Sequence, residues 1–238
     1  MRYTHLESKH NLESPSLIVP SLVALLKPQS VLDVGCGLGT FVRAFQNAGV
    51  SRCIGVDGAW VNRALLAQYI APEQFIEADL EKPLRLNQTF DLVLSVEVAE
   101  HLSEARADSF VEDLCRLSDQ IAFSAAIPGQ GGDHHINEQW PAYWQEKFEK
   151  QGYVLLDILR EPIWEVDRIF WWYRQNLFLY VKKDSELHKQ YSDRAIKPLR
   201  VVHPDLYFTW TNYRDPNALK RYTKALFKAI LFRLGIIR

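Results

Sequence analysis

Val31-Leu32-Asp33-Val34-Gly35-Cys36-Gly37-Leu38-Gly39 decides the fold, because a short apolar stretch runs directly into three glycines spaced two apart. A short, nearly all-apolar run reads as a strand buried on both faces, as in a parallel sheet. Glycines at its end let the backbone turn sharply and approach a ligand without a side chain in the way. A helical pattern from Thr40 to Ala48 follows, so strand, turn and helix read as the opening of a crossover unit.

The same alternation extends in both directions. A leading helix is expected near Ser16 to Leu26, and strand Ser30 to Val34 is followed by strand Arg52 to Val56 and a helix near Trp60 to Tyr69. Next come a short strand near Gln74 to Glu77, the buried-looking strand Phe90 to Ser95, and a helix that Ser103 can cap, running to Leu117. Strand Gln120 to Ala125, a helix from Glu138 to Gln151 ended by Gly152, and strands Tyr153 to Leu159 and Asn176 to Lys182 complete the series. This order predicts an α/β fold, a Rossmann-like, mostly parallel sheet with helices on both faces. The pattern breaks twice. Pro128-Gly129-Gln130-Gly131-Gly132-Asp133-His134-His135 is too glycine-rich for an element interior, and Glu161 to Tyr173 is an aromatic insertion that packs as a core extension or lines a substrate mouth. After Asp184 the alternation stops, which suggests a main domain over 1–183 and a C-terminal extension over 184–238.

A formal net charge of -1 over 238 residues lacks the basic bias of a general nucleic-acid binder. Met1 to Ser14 carries no apolar stretch of signal-peptide length, so a cytoplasmic location is expected. Three cysteines, Cys36, Cys53 and Cys115, without paired metal-type spacing read as small core residues in a reducing compartment.

Chemistry concentrates after the strands. Asp33 puts a carboxylate beside the glycine turn, and Asp57 ends the next strand about twenty residues on, where an acid can accept hydrogen bonds from both hydroxyls of a ribose. Nicotinamide and flavin enzymes share that order, but their Gly-x-Gly-x-x-Gly spacing differs from Gly35-x-Gly37-x-Gly39. Past the strand ending at Ser95, the stretch Glu97-Val98-Ala99-Glu100-His101-Leu102 would put residues 97, 100 and 101 on one face if it were helical. An imidazole, His101 in that stretch or His135 in the glycine-rich loop, can take a hydroxyl proton near neutral pH. The bland alternative is that Glu100 complements a helix N-terminus and His101 packs within the domain.

With Glu77-Ala78-Asp79-Leu80 and Phe90-Asp91-Leu92-Val93, the glycine turn resembles class I methyltransferases of the methyltransferase 11 and 23 type, over roughly residues 28 to 182. The resemblance implies S-adenosyl-L-methionine as cofactor and a seven-stranded sheet with a reversed terminal strand. It also implies contacts from Asp33, Gly35, Gly37 and Gly39 to the amino-acid end, Asp57 to the ribose, and Asp79 and Leu80 to the adenine, with Ser95 beside them. Glu-x-x-Glu-His followed by a distant His is similar to the metal-ligand pattern of small-RNA 3′-terminal methyltransferases. That likeness implies Glu97, Glu100, His101 and His135, or His134 in place of the last, around Mg²⁺, Mn²⁺ or Zn²⁺. The surroundings of the second histidine depart from the RNA family, and His135-Ile136-Asn137-Glu138-Gln139-Trp140 is similar to bacterial methyltransferases of glycan and secondary-metabolite pathways. The expectation is O-methylation of a sugar or small-molecule hydroxyl. The alternatives are metal-dependent methylation of RNA 3′ ends and a cofactor-fold binding protein without catalysis.

Asn217 to Arg238 holds Lys220, Arg221, Lys224, Lys228, Arg233 and Arg238, no acid, and apolar residues at helical spacing. It reads as a basic amphipathic helix that can lie on an anionic membrane surface, pack on the domain or join a second subunit. Nucleic acid is not the expected partner, since Tyr207, Phe208, Trp210 and Tyr213 read more readily as core than as a base-stacking platform.

Overall fold

The computed structural model describes residues 11–195, 200–212 and 218–234. The residues of the chain start before Asn11, Tyr213, Asn217 and the tail beyond Leu234, all used in the sequence reading, lie outside them. Two compact units are present, Met1–Val201 and Val202–Arg238.

In the first unit, α1 (Glu13–Leu26) starts three residues earlier than Ser16, with the Asn11 side chain accepting from the Glu13 N–H at 2.9 Å. Strand β1 (Ser30–Val34) leads through the glycine turn into α2 (Thr40–Asn47), then β2 (Arg52–Asp57). The helix expected from Trp60 is one turn only, α3 (Arg63–Leu66), begun by Asn62, whose side chain accepts from the N–H groups of Ala64 and Leu65. After β3 (Phe75–Glu77) and β4 (Leu92–Val96), two 3₁₀ turns, Ala99–His101 and Glu104–Arg106, precede α4 (Ala107–Leu117). Ser103 makes no side-chain cap; its hydroxyl and N–H both donate to Glu81, so the α-helix proper starts later. Then follow β5 (Gln120–Ser124), α5 (Pro141–Lys150), β6 (Tyr153–Leu156), α6 (Arg160–Ile163), α7 (Trp171–Asn176), β7 (Phe178–Lys182) and α8 (Glu186–Gln190).

The seven strands lie in the order β3-β2-β1-β4-β5-β7-β6. All pairs are parallel except β5 with β7 and β6 with β7, so β7 is the reversed strand. Side chains alternate between two cores: Val31 joins α1 and α2 through Ile18, Leu22, Val42 and Phe45, while Leu32 and Val34 join α4 and α5 through Phe110, Leu114, Trp144 and Phe148. Burial on both faces explains why these strands read as continuous apolar runs. Strand order reverses between β1 and β4, and the crevice beyond the strand ends there is where open α/β sheets take ligands.

The aromatic insertion is mixed. Ile163 and Ile169 are buried, Phe170 and Trp172 stack with centroids 4.4 Å apart, and Tyr173 meets Phe41 of α2 edge-on. In the second unit, α9 (Pro204–Thr211) and α10 (Ala218–Arg233) are joined through the Tyr222 hydroxyl, which donates to the Trp210 carbonyl at 3.0 Å.

Candidate functional site

At the end of β1 the turn is built on the end of β2. The N–H groups of Gly35 and Cys36 both donate to the Val56 carbonyl, at 2.7 and 3.1 Å. Gly35 has φ 86°, and a Cβ there would lie 2.3 Å from a Val98 methyl, so both the backbone and the space demand glycine. Asp57 receives the Gly37 N–H at 2.8 Å on one oxygen and the Gly58 N–H at 2.6 Å on the other. A carboxylate has about four acceptor positions, so two such bonds leave capacity for further donors. Burial raises the Asp57 carboxyl, opposed by the Gly58 and Gly37 amides, Trp60 and the Arg63 charge. Asp33, also buried, is pushed up to about 8 by desolvation and then by the Asp57 charge.

Asp79 is exposed and engaged locally. It accepts from the Glu81 N–H at 3.1 Å and pairs with Lys82 at 3.1 Å, and Lys82 holds its pKa down. Leu80 is buried, and its carbonyl accepts from Arg106 Nε at 2.9 Å. Arg106 also donates to the Lys82 carbonyl and pairs with buried Asp113, so it pins the loop carrying Asp79 and Leu80. Ser95 is fully buried and its hydroxyl has no hydrogen-bond partner.

Beyond β4, the helical reading of Glu97 to His101 gives way to a sharper path. Glu97 stands at φ 55° with its N–H on the Ser124 carbonyl and hydroxyl, followed by the single 3₁₀ turn. The Glu97 carboxylate accepts from Gln130 Nε2 at 2.7 Å and Asn176 Nδ2 at 3.1 Å, and Asn176 also donates to Gln130 Oε1 at 2.9 Å. A buried amide network thus ties the glycine-rich loop to β4 and α7.

Glu100 is fully buried, and neither carboxylate oxygen has a partner in hydrogen-bond geometry, although the Glu100 and Ala126 amides lie close enough to lower its pKa somewhat. Desolvation, then the Glu97 charge, pushes its pKa well up. The Glu100 carbonyl accepts from the N–H groups of Ile136 and Asn137 at 2.9 and 3.0 Å, which brings His135 over it. His135 Nδ1 lies 2.9 Å from Glu138 Oε1, and Glu138 accepts from the Gly131 and Gly129 amides at 2.7 Å each. Burial alone would raise the Glu138 pKa, but His135 and the two amides outweigh it and hold it low. A carboxylate on Nδ1 favours the tautomer with Nε2 unprotonated. That Nε2 stands 4.0 Å from Glu100 Oε1, with the His101 ring 4.9 Å from the His135 ring. Burial, then His135, pulls His101 down to about 4.

One ligand atom from each of Glu100, His101 and His135 falls within 4.8 Å of the others. Two metal bonds of about 2.0–2.2 Å bridge that span after a slight closing. Glu97 is not among the three, and His134 is exposed at φ 60°. Gly132 covers the site: a Cβ there would lie 2.2 Å from His135 Nε2.

Sequence reading missed Trp60, Gln130, Glu138 and Asn176 as parts of these sites. Trp60 lies across Gly58, where a Cβ would meet its ring at 2.2 Å, and engages Asp57. An exposed aromatic three residues past the acidic strand end was its one local signal. The amides had none, since Asn176 is 79 positions from the carboxylate it holds.

Residues 32–119 match the family model described as "Methyltransferase domain". The chain is 38% identical over 100 residues to a probable tocopherol O-methyltransferase of the chloroplast from Oryza sativa subsp. japonica, covering 39% of this chain and 26% of that protein. It is 26% identical over 106 residues to the mitochondrial ubiquinone biosynthesis O-methyltransferase of Dictyostelium discoideum, covering 39% and 32%. The chain therefore spans a third or less of the length of these curated relatives. Among solved structures, the sugar N-methyltransferase KedS8 from Streptoalloteichus sp. ATCC 53650 shares the fold with TM-score 0.53 at 14% identity, over 73% of this chain and 89% of that one.

Proposed function

On the premise that the chain carries a class I S-adenosylmethionine-dependent methyltransferase domain, we propose that it transfers the methyl group to a hydroxyl of a sugar or another small molecule. The observation that carries this reading is the pairing, beyond the ends of β1, β2 and β4, of a glycine cradle with a buried carboxylate–imidazole group. The likeness to O-methyltransferases acting on tocopherol and in ubiquinone biosynthesis, and to a sugar N-methyltransferase, supports a small-molecule or glycan acceptor.

The residues fit the cofactor. Gly35 leaves open a space that a Cβ would fill, and Asp57 retains acceptor capacity beside the turn for ribose hydroxyls. Asp33, Gly37, Gly39, Asp79, Leu80 and Ser95 complete the assigned set, with Trp60 flanking Asp57. The cofactor supplies a sulfonium methyl whose displacement releases a neutral thioether, so the protein needs chiefly to align the acceptor and take its proton. His135, with Nε2 free to accept and Nδ1 held by Glu138, is the base in this reading. As the oxygen–carbon bond forms and the carbon–sulfur bond breaks, the hydroxyl proton passes to Nε2. His101, neutral at physiological pH, lines the same place.

A divalent ion fits as an alternative to the base, because His135 Nε2 would then be a metal ligand and not a proton acceptor. Glu100 is a buried carboxyl with neither oxygen in hydrogen-bond geometry to a partner, and one carboxylate with two imidazoles suits Zn²⁺ or Mn²⁺ better than Mg²⁺. Glu100, His101 and His135 would hold it, and it would supply Lewis acidity toward the acceptor oxygen.

Labelled methyl transfer into fractionated host extract, with and without chelator, tests both parts. Label in a low-mass or glycan fraction is expected. Chelator-sensitive label in RNA 3′ ends would replace the proposed acceptor class. Absence of S-adenosylhomocysteine binding by calorimetry, with Asp57→Ala indistinguishable from the parent, would remove the reading altogether.

A further inference from the structure

The second unit carries chemistry that neither end of the sheet uses. Along α10, Leu219, Tyr222, Leu226 and Ile230 recur at three- and four-residue spacing, so they share one face. Phe227 and Leu234 extend that face. Leu219 is 75% exposed, Leu226 63% and Phe227 61%, an apolar surface far beyond scattered single residues. Lys220, Lys224 and Lys228 recur every four residues along the flank beside it, and no acid interrupts Ala218 to Arg233. On α9, Tyr207 and Phe208 are also exposed, and the Tyr222–Trp210 bond couples the two helices.

From this arrangement we infer that the second unit docks on the surface of an anionic phospholipid bilayer, with the Leu219–Ile230 face among the acyl chains and the lysines at the headgroups. Charge complementarity selects this occupant. A second copy of α10 would bring five like charges together in a low-dielectric interface, where each repulsion is strengthened. Nucleic acid would satisfy the lysines and leave the apolar face in water. Among the described residues no helix is long and apolar enough to cross a membrane, which leaves an in-plane position. Aromatic side chains of the Tyr and Trp kind, as on α9, favour the same headgroup depth. Resting on the methyl-transfer reading, the inference places the enzyme beside lipid-linked or lipid-soluble acceptors.

Co-sedimentation of the full chain tests it, using phosphatidylcholine vesicles with and without about 30% phosphatidylglycerol. Binding to the anionic vesicles is expected, and it should weaken at least tenfold when about 0.5 M NaCl is added. The triple variant Lys220→Glu/Lys224→Glu/Lys228→Glu should partition roughly a hundredfold less, since each basic residue contributes about fivefold. Leu219→Ser/Leu226→Ser/Ile230→Ser should fail at either salt concentration. Both variants should bind S-adenosylhomocysteine like the parent, which separates failed docking from failed folding and from a failed methyl-transfer reading. Equal binding to pure phosphatidylcholine, undiminished binding by the lysine variant, or a stable dimer abolished by the leucine variant would overturn the inference.

Discussion

The glycine turn and the histidine site both lie at strand ends beyond the same sheet, yet they satisfy their buried charges in opposite ways. Asp57 is met by two backbone amides, Trp60 and Arg63 before any ligand arrives. Glu100 is equally buried and meets no donor in hydrogen-bond geometry. A buried charge without a partner is costly, so the first region is complete in itself while the second awaits a proton or a cation. Glu97, three residues from Glu100, sharpens the contrast: two amide side chains grip it, so proximity in sequence does not decide which acid is left open.

The largest expected effect breaks the preformed half. Gly35→Ala places a methyl against Val98 in a left-handed backbone, which should abolish detectable S-adenosylhomocysteine binding by calorimetry and lower stability by about 1–3 kcal/mol. Adding Val98→Ala should recover only part of both, because the backbone strain persists.

Glu100→Gln attacks the open half and should separate function from stability. Methyl transfer should fall about a hundredfold or more, while the denaturation midpoint rises, the gain in stability being about 1 kcal/mol from loss of an unpartnered buried acid. A lowered midpoint would mean that Glu100 is structurally satisfied, and the contrast with Asp57 would disappear.

Glu138→Gln tests whether the histidine site is oriented from behind. Loss of the charge on His135 Nδ1 should reduce turnover about 10–100-fold and leave cofactor affinity within twofold. Gly132→Ala, which pushes on His135 Nε2, should follow the same split between turnover and cofactor affinity.

A separate effect concerns pH. Asp33 titrates at about 8 in the folded chain against 3.8 for an ordinary aspartate. Its contribution to stability is therefore fully present below about pH 4 and is lost progressively as pH rises toward 8, since the unfolded chain releases the proton first. Urea midpoints between pH 5 and 8 should fall for the parent and fall less for Asp33→Asn. Equal slopes would show that Asp33 is not held protonated.

Where local pattern governs, the chain was legible. Ser30–Val34 and Gln120–Ser124 form strands where apolar runs bounded by turn residues placed them, and the last strand in chain order, β7, is reversed as the family resemblance implied, inserted between β5 and the edge strand β6. Boundaries moved where a side chain found a nonlocal partner, as Ser103 did with Glu81 instead of capping a helix. At the site, Asp33, Asp57, Glu100 and His101 were picked out by strand ends and local spacing, whereas the second histidine, His135 or His134, was named only through the likeness to the small-RNA family; the fold gathers Glu100, His101 and His135. The metal set read as Glu97, Glu100, His101 and His135 differs from the group brought together, because a left-handed residue at Glu97 replaces the expected helical turn.

By itself the sequence determined the alternation of strands and helices, the glycine turn with its acidic partner, and the basic apolar face of the tail, all consequences of periodicity and composition that neighbouring residues impose on one another. Only the tertiary structure decided which buried acid is satisfied and which is left open. That choice rests on donors contributed by Gln130, Asn176 and Gly37, brought to their acids by the crossing of chain segments tens of residues apart, a property no local pattern encodes.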